Sequence, residues 1–395
     1  MFPIGRPAYR RGERRRTRLI GCAVVVAMLS AACTTGTGAD PSTGPGSTGT
    51  TSTTATDGTD GTAGPTATTG ETTGTTTPTP TTWWSAPGST VPFRTPDPDS
   101  ATGVRLGLIS SAGSDAFDRA VTDSVIEQAD LAGAELTVCD AGADPGLVLD
   151  CARRLATQQV DGWIVLRPPG DLRDVLCDAG PQEVPLVVIG SDPLPCQSTA
   201  VGADDVRAGR LLGVALGLRA RVAAGCRPAA WVLLADPASP GSTAARIAGV
   251  LDGWQAQCPG VGITPTVLDA GTQDVAYEAF ATVLTGVPAD ADVIVAAVND
   301  GAALGAVAAI PEGGDDHVVI GAIGADQRAW CAITTDPDWI GDAALFPERY
   351  GEVVVPTVLD LLHGESVPER ILVDTALLSA GSLRKVYDVQ ECAGP

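Results

Sequence analysis

Residues 295–306 read Val-Ala-Ala-Val-Asn-Asp-Gly-Ala-Ala-Leu-Gly-Ala, and this stretch is the most specific indication of the fold. The apolar residues before Asn299 predict the end of a buried strand, and the small residues after Gly301 predict a helix. Asn299 and Asp300 stand between the two elements, at the carboxyl end of the strand. The stretch is therefore a strand–helix unit with polar side chains at the strand tip, where ligands bind in open α/β sheets.

The same alternation of strand and helix extends along the chain on both sides of this unit. Ser242 is the expected N-cap of one of the helices. Strict alternation predicts parallel sheets covered by helices on both faces, and two successive sets predict two doubly wound lobes of an α/β fold. The predicted strands are 104–110, 135–139, 162–166, 185–189, 200–202, 230–235, 261–268, 292–298 and 318–323, and the predicted helices are 115–132, 145–156, 206–223, 242–257, 275–284 and 301–309.

The N-terminal region is predicted to be an export signal followed by a tether. Seven arginines precede a short apolar run and small residues before Cys33, a pattern that resembles the lipobox of bacterial lipoproteins. The resemblance implies that residues 1–32 are removed and that the Cys33 thiol is diacylated. Residues 33–102 are rich in Thr, Gly and Pro, which predicts a disordered, lipid-anchored tether. An ordinary signal peptide with an incidental cysteine is the alternative.

Composition excludes several classes of function. The formal charge is −22 for the whole chain and −28 without residues 1–32, so a nucleic-acid partner, which needs a basic face, is not expected. No phosphate-binding lysine loop, zinc-protease motif or hydrolase elbow is found, so we expect no enzymatic activity and no cofactor. A hydrolase built on paired carboxylates is the remaining enzymatic alternative. The chain has two histidines and lacks CxxC spacing, so we expect no metal site.

Eight cysteines follow the tether, and an even number in an exported chain predicts disulfide bonds. The favoured pattern joins neighbours along the sequence, while other connectivities stay open. Cys226 with Cys258 is the best pair, because it would tie the start of one strand to the end of the following helix. The eight are Cys139, Cys151, Cys177, Cys196, Cys226, Cys258, Cys331 and Cys392.

The order of elements and several strings resemble the type I periplasmic binding proteins, the family of the ribose-binding proteins. The resemblance covers the chain from Val104 to its C-terminus, and residues 295–306 carry its most specific string. It implies two lobes joined by a three-segment hinge, with crossovers near residues 204, 345 and 372. The implied lobes are residues 103–204 with 346–372 and residues 205–345 with 373–395.

The resemblance and the predicted strand ends together give a candidate ligand site. In the family, an asparagine at the position of Asn299 hydrogen-bonds the sugar, an aspartate at that of Asp326 binds ligand, and an arginine at that of Arg246 reaches it. Helix capping is the alternative role for Asn299 and Asp326, and a solvated helix face is the alternative for Arg246. Asp300 is assigned to capping. The first lobe adds Ser110, Ser114, Asp115, Phe117, Arg167, Ser191 and Asp192, of which Phe117 is equally suited to the core.

The resemblance implies a solute-binding lipoprotein on the outer face of the cytoplasmic membrane. It would be the monomeric substrate-binding component of an ABC importer whose permease and ATPase are separate chains. The sequence departs from the family at Leu345, where a glutamine is usual, and this departure together with the two arginines leaves a sugar-like or a carboxylated small polar ligand open. The alternatives are a sensory receptor that feeds a membrane partner and a degenerate binding fold that serves as a surface module.

Overall fold

The computed structural model describes residues 88–113, 116–142, 144–191, 193–311 and 317–389, together with residue 392. Strands and helices alternate through these residues, as the sequence predicts. The strands are Ser89–Thr90 (β1), Arg105–Ser110 (β2), Glu135–Asp140 (β3), Gly162–Leu166 (β4), Leu186–Ile189 (β5), Thr199–Ala203 (β6), Ala230–Ala235 (β7), Thr266–Asp269 (β8), Val293–Ala297 (β9), Val318–Gly324 (β10), Trp339–Ala344 (β11), Arg370–Val373 (β12) and Ala376–Leu378 (β13).

The α-helices connect these strands. Asp144 caps the second of them by accepting a hydrogen bond from the Leu147 N–H at 3.0 Å, with Pro145 at its first position, where a missing N–H costs nothing. The helices are Ala116–Leu131 (α1), Pro145–Gln158 (α2), Arg173–Ala179 (α3), Asp205–Ala224 (α4), Pro240–Gln257 (α5), Gln273–Thr285 (α6), Asp300–Ala309 (α7), Trp330–Thr335 (α8), Gly351–Leu362 (α9) and Ala380–Val386 (α10).

Two separate sheets organise the described residues. The first has seven strands in the order β1-β12-β6-β5-β4-β2-β3, and all its pairings are parallel. The second has six strands in the order β13-β11-β10-β9-β7-β8, parallel except for the pairing of β11 with β13. The carboxyl ends of the parallel strands within each sheet therefore share one edge, as a ligand site of this class requires.

Apolar cores lie on both faces of each sheet. On the first sheet, α1 and α9 cover one face and α2 and α3 the other. On the second sheet, α4 and α5 cover one face, and α6, α7, α8 and α10 cover the other. Both faces are apolar along the central strands, since β4 and β9 are buried at every residue. This arrangement confirms the predicted α/β fold of two doubly wound sheets.

The chain passes between the sheets three times, after β6, after β11 and after β12. Short contacts join the three connections. The Arg207 guanidinium pairs with the Asp374 carboxylate at 2.9 Å, which links the first connection to the third. The buried Thr375 hydroxyl donates to the Ala344 carbonyl at 2.7 Å, which links the third to the second. The two sheets are therefore joined by three chain segments that contact one another.

Four disulfide bonds join neighbouring cysteines, so the favoured connectivity is confirmed. Cys226 lies just before β7 and Cys258 just after α5, so their bond closes this strand–helix unit as expected. The bonds are Cys139–Cys151, Cys177–Cys196, Cys226–Cys258 and Cys331–Cys392.

Three local predictions are wrong. Helix α5 begins at Pro240 and not at Ser242, because proline is preorganised for the first helical position, and Ser242 lies inside the helix. Strand β8 spans only Thr266–Asp269, because Pro265 has no N–H to donate to the sheet and β8 lies at its edge. Residues 88–102, assigned to the tether, pack on the first sheet: β1 pairs with β12.

Candidate functional site

The strand ends of the first sheet carry a chain of hydrogen bonds that reaches from β2 to β4. Ser111 follows β2 and donates its hydroxyl proton to Asp118 at 2.7 Å, and Asp118 in turn pairs with the Arg167 guanidinium at 3.1 Å. Asp118 is only 2% exposed, so this ion pair holds a carboxylate in the interior of the protein. Ser110 bonds the Thr122 hydroxyl at 2.9 Å and accepts from the Ala112 N–H at 3.0 Å.

The conformation of Arg167 is fixed by its position at the end of β4. Its φ of 45° lies in the left-handed region, which is unfavourable for a residue with a side chain. A Cβ atom on neighbouring Gly190, which follows β5, would lie 3.2 Å from the Arg167 Cγ atom, so glycine leaves room for the arginine stem. Arg167 thereby lies on the strand-end edge, with its side chain 39% exposed.

Arg246 makes the corresponding network on the second sheet. It lies on α5, and its Nε donates to the Asp205 carboxylate at 2.7 Å while Nη1 donates to the Val298 carbonyl at 2.7 Å. The side chains of Arg246 and Asp205 are 16% and 14% exposed, so the pair is largely buried. The solvated helix face considered for Arg246 is therefore wrong, since the side chain turns inward to the end of β9.

The buried Tyr350 is affected by the charges of both arginine–aspartate pairs. It follows β11 at the second connection, is 1% exposed, and meets the Phe117 ring edge-on with the ring centroids 5.7 Å apart. Burial raises the pKa of the Tyr350 phenol, and the charges that act on it come from both sheets, namely Asp205, Arg246, Arg167 and Asp118. Phe117 packs against the cores of both sheets, as its core alternative suggested.

Asn299 lies at the tip of β9, and the described structure gives its side chain two intramolecular bonds. The Oδ1 atom accepts from the Ala302 N–H at 2.8 Å and caps α7, and Nδ2 donates to the Gly271 carbonyl at 3.0 Å. Asn299, and not Asp300, is therefore the cap of α7, which corrects the assignment of Asp300. An amide side chain offers two hydrogens and two lone pairs, so these bonds use half of its capacity.

Asp326 follows β10 and caps the single helical turn Gln327–Ala329. Its Oδ1 accepts from the backbone N–H of Arg328 at 2.9 Å, and the Arg328 guanidinium pairs with its Oδ2 at 3.0 Å. Burial alone would raise the pKa of Asp326, but the hydrogen bonds from Arg328 outweigh burial and lower it. The carboxylate therefore stays ionised and can accept hydroxyl hydrogens.

The remaining candidates are placed as follows. Ser191 follows β5 at the same edge as Arg167 and is half-buried. Ser114, Asp115, Asp192 and Cys33 lie outside the described residues. Among the residues described, no group of three or more His, Cys, Asp or Glu side chains is arranged to hold a metal ion.

The sequence analysis did not assign a role to Asp118, Asp205, Tyr350 or Asp342. Asp118 and Asp205 lie 49 and 41 residues from their arginine partners, so no local pattern marks them. Asp342 had one available signal, since it is a charged residue in the middle of the otherwise uncharged strand β11, and it is completely buried there.

A family model described as a periplasmic binding protein domain matches residues 106–366. The chain belongs to the periplasmic binding protein family. This result confirms the resemblance to the type I members and the prediction that the chain is not an enzyme, because the family binds solutes outside the cytoplasm. No helix of the described part of this periplasmic binding protein is both long and apolar enough to cross a bilayer.

Solved structures share the fold of this periplasmic binding protein. A Mycobacterium smegmatis structure in complex with β-D-fucofuranose is 20% identical, covers 72% of this chain and 94% of its own, and has a TM-score of 0.59. A solute-binding protein of an ABC transporter from the same organism, with bound glycerol, is 21% identical at 73% and 98% coverage and a TM-score of 0.59.

A third neighbour, from Actinobacillus succinogenes, is a periplasmic solute-binding protein of an ABC transporter with bound D-allose. It is 17% identical, covers 71% of this chain and 99% of its own, and has a TM-score of 0.58. At these identities the likeness shows the fold of the periplasmic binding proteins. No match was found among curated proteins.

Proposed function

We propose that this periplasmic binding protein is the substrate-binding lipoprotein of an ABC importer and that it binds a neutral sugar or polyol between its two sheets. The observation that carries the proposal is that each sheet has an arginine–aspartate pair at its strand-end edge, Arg167 with Asp118 and Arg246 with Asp205, and that the charges of both pairs act on the buried Tyr350. Each pair projects from the strand-end edge of its own sheet, where ligands bind in α/β folds. A ligand lodged there would contact both lobes at once.

The charge balance of the candidate site favours a neutral ligand over a carboxylated one. Arg167 pairs with Asp118 and Arg246 pairs with Asp205, so the four charges cancel. A ligand carboxylate would have to compete with these aspartates for the two guanidinium groups. Hydroxyl groups both donate and accept, so a polyol can bond to carboxylate and guanidinium without disturbing either pair.

The ligands of the structural neighbours also favour a neutral ligand. Three solved structures that share this fold hold β-D-fucofuranose, glycerol and D-allose, all of them neutral and polyhydroxylated. They support a sugar or polyol as the ligand class, and they leave the individual compound to be measured.

Binding is proposed to work by hinge closure. The connections after β6, β11 and β12 are short, and the Arg207–Asp374 and Thr375–Ala344 contacts couple them. A ligand that contacts both lobes only in the closed state shifts the population toward that state. Lobe boundaries near residues 204, 345 and 372 are part of this proposal.

The anchor and the partners complete the proposal. Diacylation at Cys33 and the long Thr- and Gly-rich segment after it would hold the domain at the outer face of the cytoplasmic membrane. A separate permease and a separate ATPase would receive the sugar. A membrane sensor as the receiving partner is the alternative, and the same binding domain would serve it.

The test is a thermal and urea stability screen of the exported chain carrying Cys33→Ser, against aldoses, polyols and small organic acids. A compound at a hundredfold excess over its dissociation constant should add about 2.7 kcal/mol to the free energy of unfolding. Arg167→Gln should lose most of that gain. Its matched control is Arg153→Gln, because Arg153 also pairs with one aspartate but lies exposed on α2.

The outcomes separate the candidate functions. Stabilisation by sugars or polyols and not by acids supports the proposal, whereas stabilisation by acids alone would show that the ligand is carboxylated. No stabilisation across the panel would favour the surface module.

A further inference from the structure

The second sheet contains a pair of buried carboxyl groups beside the candidate site. Asp342 is in the middle of β11 and is completely buried, and Asp300 is the first residue of α7 and is 5% exposed. The two carboxyl groups accept from the N–H groups of consecutive residues, Asp326 for Asp300 and Ala325 for Asp342, so they lie side by side. Neither residue contacts Arg167 or Arg246 in the hydrogen bonds described above, so the pair is separate from the two arginine networks.

The pair needs a proton. Oδ1 of Asp342 accepts from the Ala325 N–H at 2.8 Å, while Oδ2 is buried and meets no N–H or O–H donor among the described residues. Two ionised carboxylates in contact inside a protein repel each other strongly, and one of them therefore keeps its proton. Burial and the adjacent Asp300 raise the pKa of Asp342 well above its usual value, and burial also raises the pKa of Asp300.

The charged groups around the pair do not change the conclusion that one of the two carboxyl groups keeps its proton. Asp326 faces Asp300 and raises its pKa further, and the guanidinium of Arg328 is directed at Asp326. On the other side, Tyr387 feels the charge of Asp342 and shares a hydrogen bond with Glu348. None of these groups supplies a cation in contact with the pair.

The pair holds the loop Gly324–Asp326, which ends in a predicted ligand residue. Asp300 Oδ1 accepts from the Asp326 N–H at 3.2 Å, and Asp342 accepts from the Ala325 N–H. The loop is strained, because Ala325 has a φ of 57°, which non-glycine residues avoid. At Gly324 a Cβ atom would collide with the Asp300 carboxyl, so the backbone lies directly against the pair.

We propose that Asp300 and Asp342 share one proton and that in this state they act as positioning residues, holding residues 324–326 in the conformation that presents Asp326 at the candidate site. The consequence for ligand binding rests on the function proposed above. The coupling between the pair and the loop does not, and it is tested without any ligand.

The proposal sets the sign of a pH effect. An unfolded aspartate loses its proton near pH 4, whereas the folded pair retains one above that pH. Folding therefore takes up one proton above about pH 5. The stability that the shared proton contributes is complete at low pH and is lost as the pH rises toward the folded pKa of the pair. Over that range the unfolding equilibrium constant increases about tenfold per pH unit.

The experiment compares the full exported chain with Asp342→Asn. The asparagine carbonyl can accept from the Ala325 N–H and its amide can donate to Asp300, so the variant reproduces the protonated state of residue 342 and removes the titration of that residue. Urea unfolding from pH 5 to 8 should show the wild type losing stability relative to Asp342→Asn, by about tenfold in the unfolding equilibrium constant per pH unit up to the folded pKa of the pair. Asp252→Asn, an exposed carboxylate that pairs with Arg210, should run parallel to the wild type.

Amide hydrogen exchange of the peptide that contains residues 324–330 gives the local readout. At pH 8 the wild type should exchange this peptide faster than Asp342→Asn by tenfold or more, and at pH 5 the two should agree. Equal exchange at both pH values, or parallel unfolding curves, would overturn the proposal. These measurements use no sugar, so a failure of the ligand screen leaves their interpretation unchanged.

Discussion

Helices α4 and α5 approach each other backbone to backbone, and one substitution tests this contact sharply. Gly209, Gly213 and Gly217 repeat every fourth residue on α4 and lie against the backbone of α5, and Gly249 and Gly253 on α5 lie against the backbone of α4. This contact sets the position of Arg246, since a Cβ atom on Gly209 would collide with the Arg246 carbonyl oxygen. The separation of these two helices therefore determines whether Arg246 reaches Asp205 and the end of β9.

Gly213→Ala should destabilise the protein. The new Cβ atom would lie 2.9 Å from the Val250 Cα atom and closer still to its carbonyl oxygen, whereas carbon atoms in contact are about 3.5–4.0 Å apart. The helices would have to separate by about 1 Å, and overpacking of this kind costs about 1–3 kcal/mol or more. Alanine regains about 1 kcal/mol of helix propensity, so we expect a net loss of up to about 2 kcal/mol.

Urea unfolding followed by tryptophan fluorescence measures this loss. Trp231 and Trp254 stack in the core beneath α5 with their centroids 3.9 Å apart, so they report on the affected lobe. The matched control is Gly381→Ala in α10, because nothing lies within 4 Å of its new Cβ atom. The control should be unchanged or slightly stabilised. If Gly213→Ala is as stable as this control, the two helices are not in backbone contact and the argument is wrong.

The arginine network, the helix cap and the disulfides each give a further test. Arg246→Met keeps the aliphatic part of the side chain but leaves the buried Asp205 carboxylate without its cation. The free energy of unfolding, measured in urea, should therefore fall by about 3 kcal/mol, and adding Asp205→Asn should restore part of it. Asn299→Ala should lower the free energy of unfolding by about 1 kcal/mol because the cap of α7 is lost, whereas Asn299→Asp should keep most of the stability that the cap provides. Removing the bond between Cys226 and Cys258, which are 32 residues apart, should cost about 3.7 kcal/mol, and an unchanged melting temperature would contradict this.

The central strands were predictable because each is a continuous apolar run bounded by glycine, proline or polar residues. The predicted ranges 162–166 and 230–235 coincide with β4 and β7. The error at β8 arose at a sheet edge, where the strand has one neighbour and Pro265 removes a donor. A strand that is buried on both faces of its sheet has an uninterrupted apolar sequence and is easily predicted, whereas a partly exposed edge strand has a weaker pattern.

The candidate site was predictable only at the strand ends. Arg167 follows its apolar strand directly, and Asn299 and Asp326 follow theirs after one further residue. Their position at the edge of a sheet therefore followed from the alternation of elements. Their partners did not follow, because a contact such as Arg246 with Asp205 joins residues of two different helices. The raised pKa of Asp342 could not be predicted for a different reason, since it depends on Asp300, a residue of another element.

The alternative roles considered for the site residues, ligand contact and structural support, need not exclude each other. Asn299 caps α7, Asp326 caps a helical turn, and Arg246 binds the Val298 carbonyl. Each bond fixes a side chain that would otherwise lose rotamer freedom when a ligand arrives, and that loss costs about 0.5–1.5 kcal/mol per side chain. The half of the Asn299 amide that is not used by these bonds remains available to a hydroxyl group. A side chain that is held by one intramolecular bond is therefore better suited to binding a small neutral ligand, whose few contacts leave little free energy to spend on ordering the protein.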